Sequence, residues 1–265
     1  MAARLFQKRR LKALALGFAL CAPGAFALDY RPGPLSLSAG AGGLLGYTFT
    51  RYTLTAGTSG GGAIESLQNM DRFDYGGFLF FDATYAELSV LFQGGRNSYG
   101  ETMKLTPRES PPMLIADNTG TGTELSLGFS LLGKYPFRLD ERFSFFPLLG
   151  IEYQIALLEW RKPSDSGIVY DRTSGKLAED RDKDNNAYPL SAWNSLWIDL
   201  GAGADYGFYG PWYLRGELLF GFRLPTPYEN GATEMTKYQF NAPDPKLGGL
   251  TGNPTFKIAV GYKFK

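Results

Sequence analysis

Residues 255–265 read TFKIAVGYKFK. Phe256, Ile258, Val260, Tyr262 and Phe264 fall on one parity, and Lys257, Ala259, Gly261, Lys263 and Lys265 on the other. Successive side chains of a β-strand point to opposite faces, so this stretch is a strand. One face is large and apolar, and the other is small or cationic. The strand ends the sequence, with Phe264 one residue from the last position.

Working outward, the same alternation predicts seven further strands, over about residues 35–52, 71–81, 85–94, 122–135, 143–160, 193–208 and 212–224. On 35–52, Leu35, Leu37, Ala39, Ala41, Leu45, Tyr47 and Phe49 alternate with Ser, Gly and Thr. On 193–208, Leu196, Ile198, Leu200, Ala202, Ala204, Tyr206 and Phe208 alternate with Asp199, Gly201, Gly203 and Asp205. The second strand is less regular. Phe73, Tyr75, Leu79 and Phe81 oppose Asp74 and Asp82, but Phe78 and Phe80 share the acidic parity. Pro147 predicts a bulge in the fifth strand. Tight turns are expected at Asp82-Ala83-Thr84 and Tyr209-Gly210-Pro211, with a short connection over 136–142. The remaining connections, 53–70, 96–121, 161–192 and 225–254, read as long polar loops rich in Gly, Pro or charge.

Residues 1–27 form a secretory signal. Arg4, Lys8, Arg9, Arg10 and Lys12 make the cationic start, 11–21 the short apolar core, and Ala25-Phe26-Ala27 the cleavage site. The apolar core is well short of the ~20 residues needed to span a bilayer as a helix, which disfavours an uncleaved anchor. Lipid attachment at Cys21 is disfavoured by Leu20, where a small residue is expected. Cleavage removes five basic residues and no acid from totals of 27 and 26, leaving a formal charge of −4. That balance argues against nucleic-acid binding. Cys21 is the only cysteine, so the mature chain can form no disulfide.

An alternating terminal strand closed by an aromatic, behind an export signal, resembles the C-terminal strand of bacterial outer-membrane β-barrels, which usually ends in Phe. Lys265 departs from that pattern. Eight strands, short connections after the even-numbered ones and long loops after the odd-numbered ones resemble the small barrels of the OmpX, OmpA membrane-domain and OmpW types. The resemblance implies an all-β, eight-stranded antiparallel up-and-down transmembrane barrel over residues 28–265 in the bacterial cell outer membrane. It also implies outer-membrane lipid and the barrel assembly machinery as partners, with Tyr262 and Phe264 as the C-terminal assembly signal. Both termini and the short turns would face the periplasm, and the loops around Gly61, Pro111, Asp182 and Pro243 the outside. A soluble eight-stranded barrel of lipocalin type would put its apolar residues inside, and would not carry Arg, Glu, Asp and Lys on the core-facing parity.

The inward parity collects Glu87, Glu124, Lys134, Glu152, Asp199, Asp205, Arg215, Glu217, Arg223, Lys257 and Lys263. In a bore only wide enough for side chains these charges pair into a structural plug, with an ion or proton path as the sharper alternative. Residues 180–186 place acidic or amide side chains at alternate positions, partly like a calcium loop. Asn185 and Ser191 stand where Gly and Glu are expected, so a solvated loop tip is the better reading. Trp160, Trp193, Trp197 and Trp212 near strand ends read as aromatic girdles at the membrane interfaces. The chain contains no His, which removes the imidazole that Ser-His-Asp hydrolases and the barrel lipases and acyl transferases need. No spacing points to a paired-carboxylate protease, a metal or a cofactor. The expectation is a non-enzymatic barrel that presents surface loops for adhesion, host interaction or envelope integrity. An OmpW-like conduit for small apolar molecules is the alternative, and a lipid- or peptide-acting enzyme ranks third.

Overall fold

The computed structural model describes residues 36–57, 62–106, 113–163, 168–171, 176–179, 190–227 and 245–264. Its long strands are β1 (Leu37–Gly57), β2 (Ala63–Ala83), β3 (Ala86–Thr106), β4 (Met113–Lys134), β6 (Phe143–Pro163), β9 (Ser195–Tyr209), β10 (Trp212–Arg223) and β11 (Lys246–Lys263). Three short strands accompany them: β5 (Phe137–Arg138) beside β6, β7 (Ile168–Asp171) beside β4, and β8 (Lys176–Glu179) beside β7. Each long strand pairs antiparallel with the next, β4 pairs with β6, and β11 returns to β1, so eight strands close a ring. This is an up-and-down barrel. Closure gives each long strand a neighbour on both sides, apart from local breaks in the ladder, and leaves the ring no free sheet edge.

The two faces of the wall are opposite in chemistry. Leu45, Phe73, Leu79, Leu88, Phe92, Leu149, Ile151, Leu218, Phe256 and Ile258 point outward and are exposed. The largest fully buried side chains include Arg215, Lys257, Glu87 and Glu217. A barrel of the lipocalin kind is the reverse. An apolar belt around a polar bore is the transmembrane arrangement, because lipid is the solvent that stabilises such an exterior.

The connections differ from the sequence expectation in one respect. Residues 53–57, 63–70, 96–106, 113–121, 161–163 and 246–254 are strand, not loop, as are the short β7 and β8 within 161–192. Above Phe49 the outward positions of β1 turn polar at Arg51, Thr53 and Thr55, and the inward positions turn apolar at Tyr52, Leu54 and Ala56, which are buried with Ile64 of β2. The polarity of the two faces inverts where the strands leave the lipid belt, so an alternation keyed to apolar-out ends there while the hydrogen-bond ladder runs on. The peaks of the loops at Gly61, Pro111, Asp182 and Pro243 lie outside the described residues, as do the signal, the 180–186 segment and Lys265. The opposite end has the short connections. Thr84 (φ 60°) and Gly210 (φ 54°) adopt the left-handed conformation that such turns require. Leu37 sits beside this end as well, because its carbonyl accepts the Phe264 amide at 2.8 Å.

Pro147 produces no bulge. It pairs in regular register with Ala202 of β9, and on its other side it falls between the end of β4 pairing at Leu148 and the start of β5 pairing at Phe145. Its missing N–H therefore interrupts no ladder. The irregularity in this strand lies further along, where Leu125 opposes Leu158 and Ser126 opposes Ala156, leaving Leu157 unmatched. Leu157 and Leu158 are consecutively exposed in consequence. A second break occurs in the β1–β11 pairing, which skips from Gly46–Thr255 to Phe49–Gly252 around Pro254.

Candidate functional site: the barrel interior

Strand parity decides what enters the bore. In β10, Tyr213, Arg215, Glu217 and Leu219 point in. In β9 it is Ser195, Trp197, Asp199 and Asp205, and in β2 Arg72, Asp74, Phe78, Phe80 and Asp82. Glycines at inward positions make room for the large side chains. A Cβ at Gly261 would overlap the Tyr213 ring, and one at Gly203 the Phe146 ring.

Near the short-turn end the bore is tied by Arg215. Its Nε and Nη2 donate to the two oxygens of Asp205 at 2.7 and 2.9 Å, Nη2 also donates to Asp82 at 2.6 Å, and Nη1 donates to Glu87. Lys134 donates to the same Asp82 oxygen. The guanidinium lies 4.6 Å from the Phe80 ring centre, 5.2 Å from Phe146 and 5.3 Å from Tyr213. The Tyr213 hydroxyl bonds to Ser38 at 2.8 Å. A planar cation with several fixed N–H groups suits three carboxylates at once, and aromatic faces cover it at low hydration cost. Apolar residues complete the seal: Leu44, Phe78, Phe80 and Leu91 on one side, and Leu132, Phe146, Leu148 and Leu219 on the other.

Towards the other end a second network crosses from β11 to β4. Thr48 donates to Asp74 at 2.6 Å, and Asn253 donates to Thr48 at 2.8 Å and to Asp74 at 3.3 Å. Arg72 Nε lies 2.5 Å from Asp74, and its Nη1 donates to Glu124. Thr48 and Asn253 flank the break in the β1–β11 ladder at Pro254, so their side chains bridge where the backbone does not.

Between the two networks is a small cavity of about 20 Å³. Gln93, Glu152, Gln154, Asp199, Asn253 and Lys257 are among the side chains that line it. Gln154 donates to Glu152 at 2.7 Å. Lys257 Nζ, Asp199 Oδ2 and Gln93 Nε2 are buried and have no hydrogen-bond partner among the described residues.

The inward charges predicted from parity thus separate into groups. Glu87, Lys134, Asp205 and Arg215 meet in the lower knot, Glu124 joins the upper network, and Glu152, Asp199 and Lys257 line the cavity. Glu217 stands between knot and cavity, with Arg215 Nε 3.9 Å away and Lys257 directly across the strand pair. Arg223 is half-buried, 5.9 Å from the centre of Trp197. Lys263 is exposed at the mouth, 5.2 Å from Tyr213, and belongs to no internal network, because its position lies past the last layer of the plug.

Arg72, Asp74 and Asp82, with their polar partners Thr48 and Asn253, are absent from the inward charges predicted from the sequence, although Asp74, Asp82 and Thr48 fall on the parity opposite the apolar one. Asp82 serves both the turn and the bore: its Oδ1 accepts the Thr84 amide at 2.8 Å, and its buried Oδ2 enters the Arg215 knot. Trp197 is no girdle residue. It is 2% exposed, on the inward parity with Asp199, and its indole donates to Ser195. Trp160 and Trp212 do face outward. Tyr262 stacks edge-on against Trp212 at 5.1 Å and neighbours Phe264 at 5.8 Å.

No protein-family model and no curated protein matches the chain. Among solved structures it is similar to Ail, the attachment invasion locus protein of Yersinia pestis, solved with the heparin analogue sucrose octasulfate. The identity is 15% over 85% of this chain and 99% of that one, with a TM-score of 0.27. It is also similar to the outer membrane protein OprG of Pseudomonas aeruginosa (12% identity, 88% and 98% covered, TM-score 0.34). A third likeness is to the outer membrane protease OmpT of Escherichia coli (10% identity, 88% and 99% covered, TM-score 0.29). At these values the likeness carries nothing about activity. An attachment invasion locus protein, an outer membrane protein and an outer membrane protease stand side by side in it.

Proposed function

We propose that the chain is a non-enzymatic bacterial outer-membrane protein whose barrel anchors and displays the connections on its long side. The observation that carries this reading is the filled bore. The Arg215 knot and its aromatic cover occupy the short-turn end, the Thr48–Asp74–Asn253 network occupies the other, and both are built from side chains that hold one another. A bore packed in this way favours a scaffold over a conduit. The absence of His and the commitment of the knot's carboxylates to Arg215 and Lys134 favour a non-enzymatic role. Strands β1 to β4, which outrun the lipid belt, give the display platform its stiffness.

The test is topological. A short epitope after Asp182 is reached by antibody on intact cells, while the same epitope at Gly210 is not. Labelling at Gly210 alone inverts the orientation, and labelling at neither removes the outer-membrane reading. The alternative, a narrow conduit for small apolar molecules, draws support from the ladder break at Pro254, a place where the wall rests on side chains. Uptake of apolar solutes by cells with and without the protein decides between the two. Equal uptake supports the scaffold.

A further inference from the structure

Four carboxylates meet around Arg215, and three of them are tied by N–H donors. Asp82, Glu87 and Asp205 each accept from Arg215, and Asp82 also accepts from Lys134. Glu217 is the fourth. It is 1% exposed, and among the described carboxylates it alone has both oxygens buried and without a hydrogen bond. Arg215 Nε is 3.9 Å away and donates to Asp205 instead. Lys257 lies across the strand pair, but its Nζ has no hydrogen-bond partner among the described residues. A water in the middle cavity serves the free atoms of Lys257, Gln93 and Asp199, whereas Glu217 does not line that cavity. The Glu217 carboxyl faces that of Glu87, which is 0% exposed. Gly203 makes the room for it, since a Cβ there would meet Glu217 Cγ at 3.1 Å.

Two buried carboxylates that face each other cannot both ionise without a large cost, and one proton between them relieves it. The donors decide which of the two keeps the proton. Glu87 accepts from Arg215 Nη1 and from Ser89 Oγ, the latter at 2.9 Å, and such donors favour the ionised form. Glu217 has no donor. We propose that the folded barrel binds one proton at Glu217, whose O–H donates to Glu87, and that this proton locks the plug. Its loss as pH rises sets one negative charge against another beside Arg215 and loosens the knot. The other charges packed against the pair do not replace it. Asp82 on β2, Lys134 on β4 and Asp205 on β9 are bonded within the knot, and Glu152 on β6, Asp199 on β9 and Lys257 on β11 line the cavity. The inward positions of β1 carry no charge. The lock is independent of what the loops outside display.

The test uses the full folded barrel in detergent or lipid. Urea unfolding is followed from about pH 5 to about pH 9 for the wild type and for Glu217→Gln, whose amide keeps a donor for Glu87 and cannot ionise. The folded wild type holds a proton that the unfolded chain gives up above about pH 4.3, so this contribution to stability is lost as pH rises. The unfolding constant of the wild type divided by that of the variant therefore rises about tenfold per pH unit, until the folded proton leaves and the ratio levels. At the alkaline end Glu217→Gln is the more stable protein. A ratio that stays constant, or falls as pH rises, overturns the proposal, because Glu217 is then ionised and served by Lys257. Infrared spectra of the wild type decide the matter without a variant. A protonated-carboxyl band is present at neutral pH, shifts when the glutamate carboxyls carry carbon-13, and vanishes at the alkaline end. No such band, or one that ignores the label and so belongs to aspartate, overturns it as well.

Discussion

Arg215 and Lys257 are both cations that are 1% exposed, on adjacent strands of one barrel. Arg215 has three carboxylates on its guanidinium and aromatic rings around it, whereas Lys257 has no hydrogen-bond partner among the described residues. Burial is the same and the environment is opposite. The knot is a finished structure, in which each group satisfies another and the contents hold the wall together. The cavity is unfinished: several of its buried polar atoms have no hydrogen-bond partner among the described residues. The difference teaches that a buried charge in this bore is informative only together with its partners.

Removing the centre of the finished region has the largest expected effect. Arg215→Ala leaves Asp82, Glu87 and Asp205 facing one another with only Lys134 to serve them, and breaking a buried pair in this way costs about 3–5 kcal/mol. Equilibrium unfolding in urea from lipid vesicles measures it. A loss under about 1 kcal/mol would erase the contrast between the two regions. Arg215→Lys recovers only part of the stability, because one ammonium cannot hold three carboxylates in the geometry of a planar fork.

Packing beside the knot comes next. Gly261→Ala puts a methyl group against the Tyr213 ring, which is buried and tied to Ser38, so the ring must move away from Arg215. Overpacking of this kind costs about 1–3 kcal/mol. Gly261→Ala in a Tyr213→Phe or Tyr213→Leu background separates the ring's bulk from its hydroxyl bond: the penalty persists with Phe and falls with Leu. In the upper network, Asn253→Ala removes the donor to Thr48 and Asp74 beside the ladder gap, with an expected loss of about 1 kcal/mol. A loss no larger than that of an outward Thr→Ala control would mean that the side chains do not replace the missing backbone bond.

Much of this was legible in the sequence, and the misses share a cause. Alternation located eight strands and the facing of nearly every residue in the lipid belt, because lipid imposes one chemistry on one parity. It failed at Thr53 and beyond, where water replaces lipid and the polarity of the faces inverts at Tyr52, Leu54 and Ala56. Phe78 and Phe80 looked irregular because a polar bore was assumed, whereas they are inward lids on the Arg215 knot. Asp82 carries turn chemistry and lies two residues before Thr84, so local signals favoured a turn and hid a lumen ligand. Arg72 lies in the strand expected over 71–81, on the parity of Asp74, and went unmarked because it precedes Phe73, where the apolar alternation begins. Parity supplied the residues of the bore, but which of them meet depends on how the eight registers stagger around the ring, and that is not a local property.

The smallest expected effect is also the sharpest check. Lys257→Met should cost no more than about 1 kcal/mol, since Lys257 holds no carboxylate by a hydrogen bond, a proton on Asp199 or Glu217 replaces the charge it offsets, and Met retains the length and apolar stem. The substitution leaves no carboxylate that had been paired with Lys257 by a hydrogen bond, in contrast to what Arg215→Ala does to Asp82, Glu87 and Asp205. Two side chains of equal burial would then differ several-fold in their contribution. A loss for Lys257→Met as large as that for Arg215→Ala would show that Lys257 already serves Glu217 and Asp199 in the folded barrel, and the middle cavity would become a second knot rather than an open site.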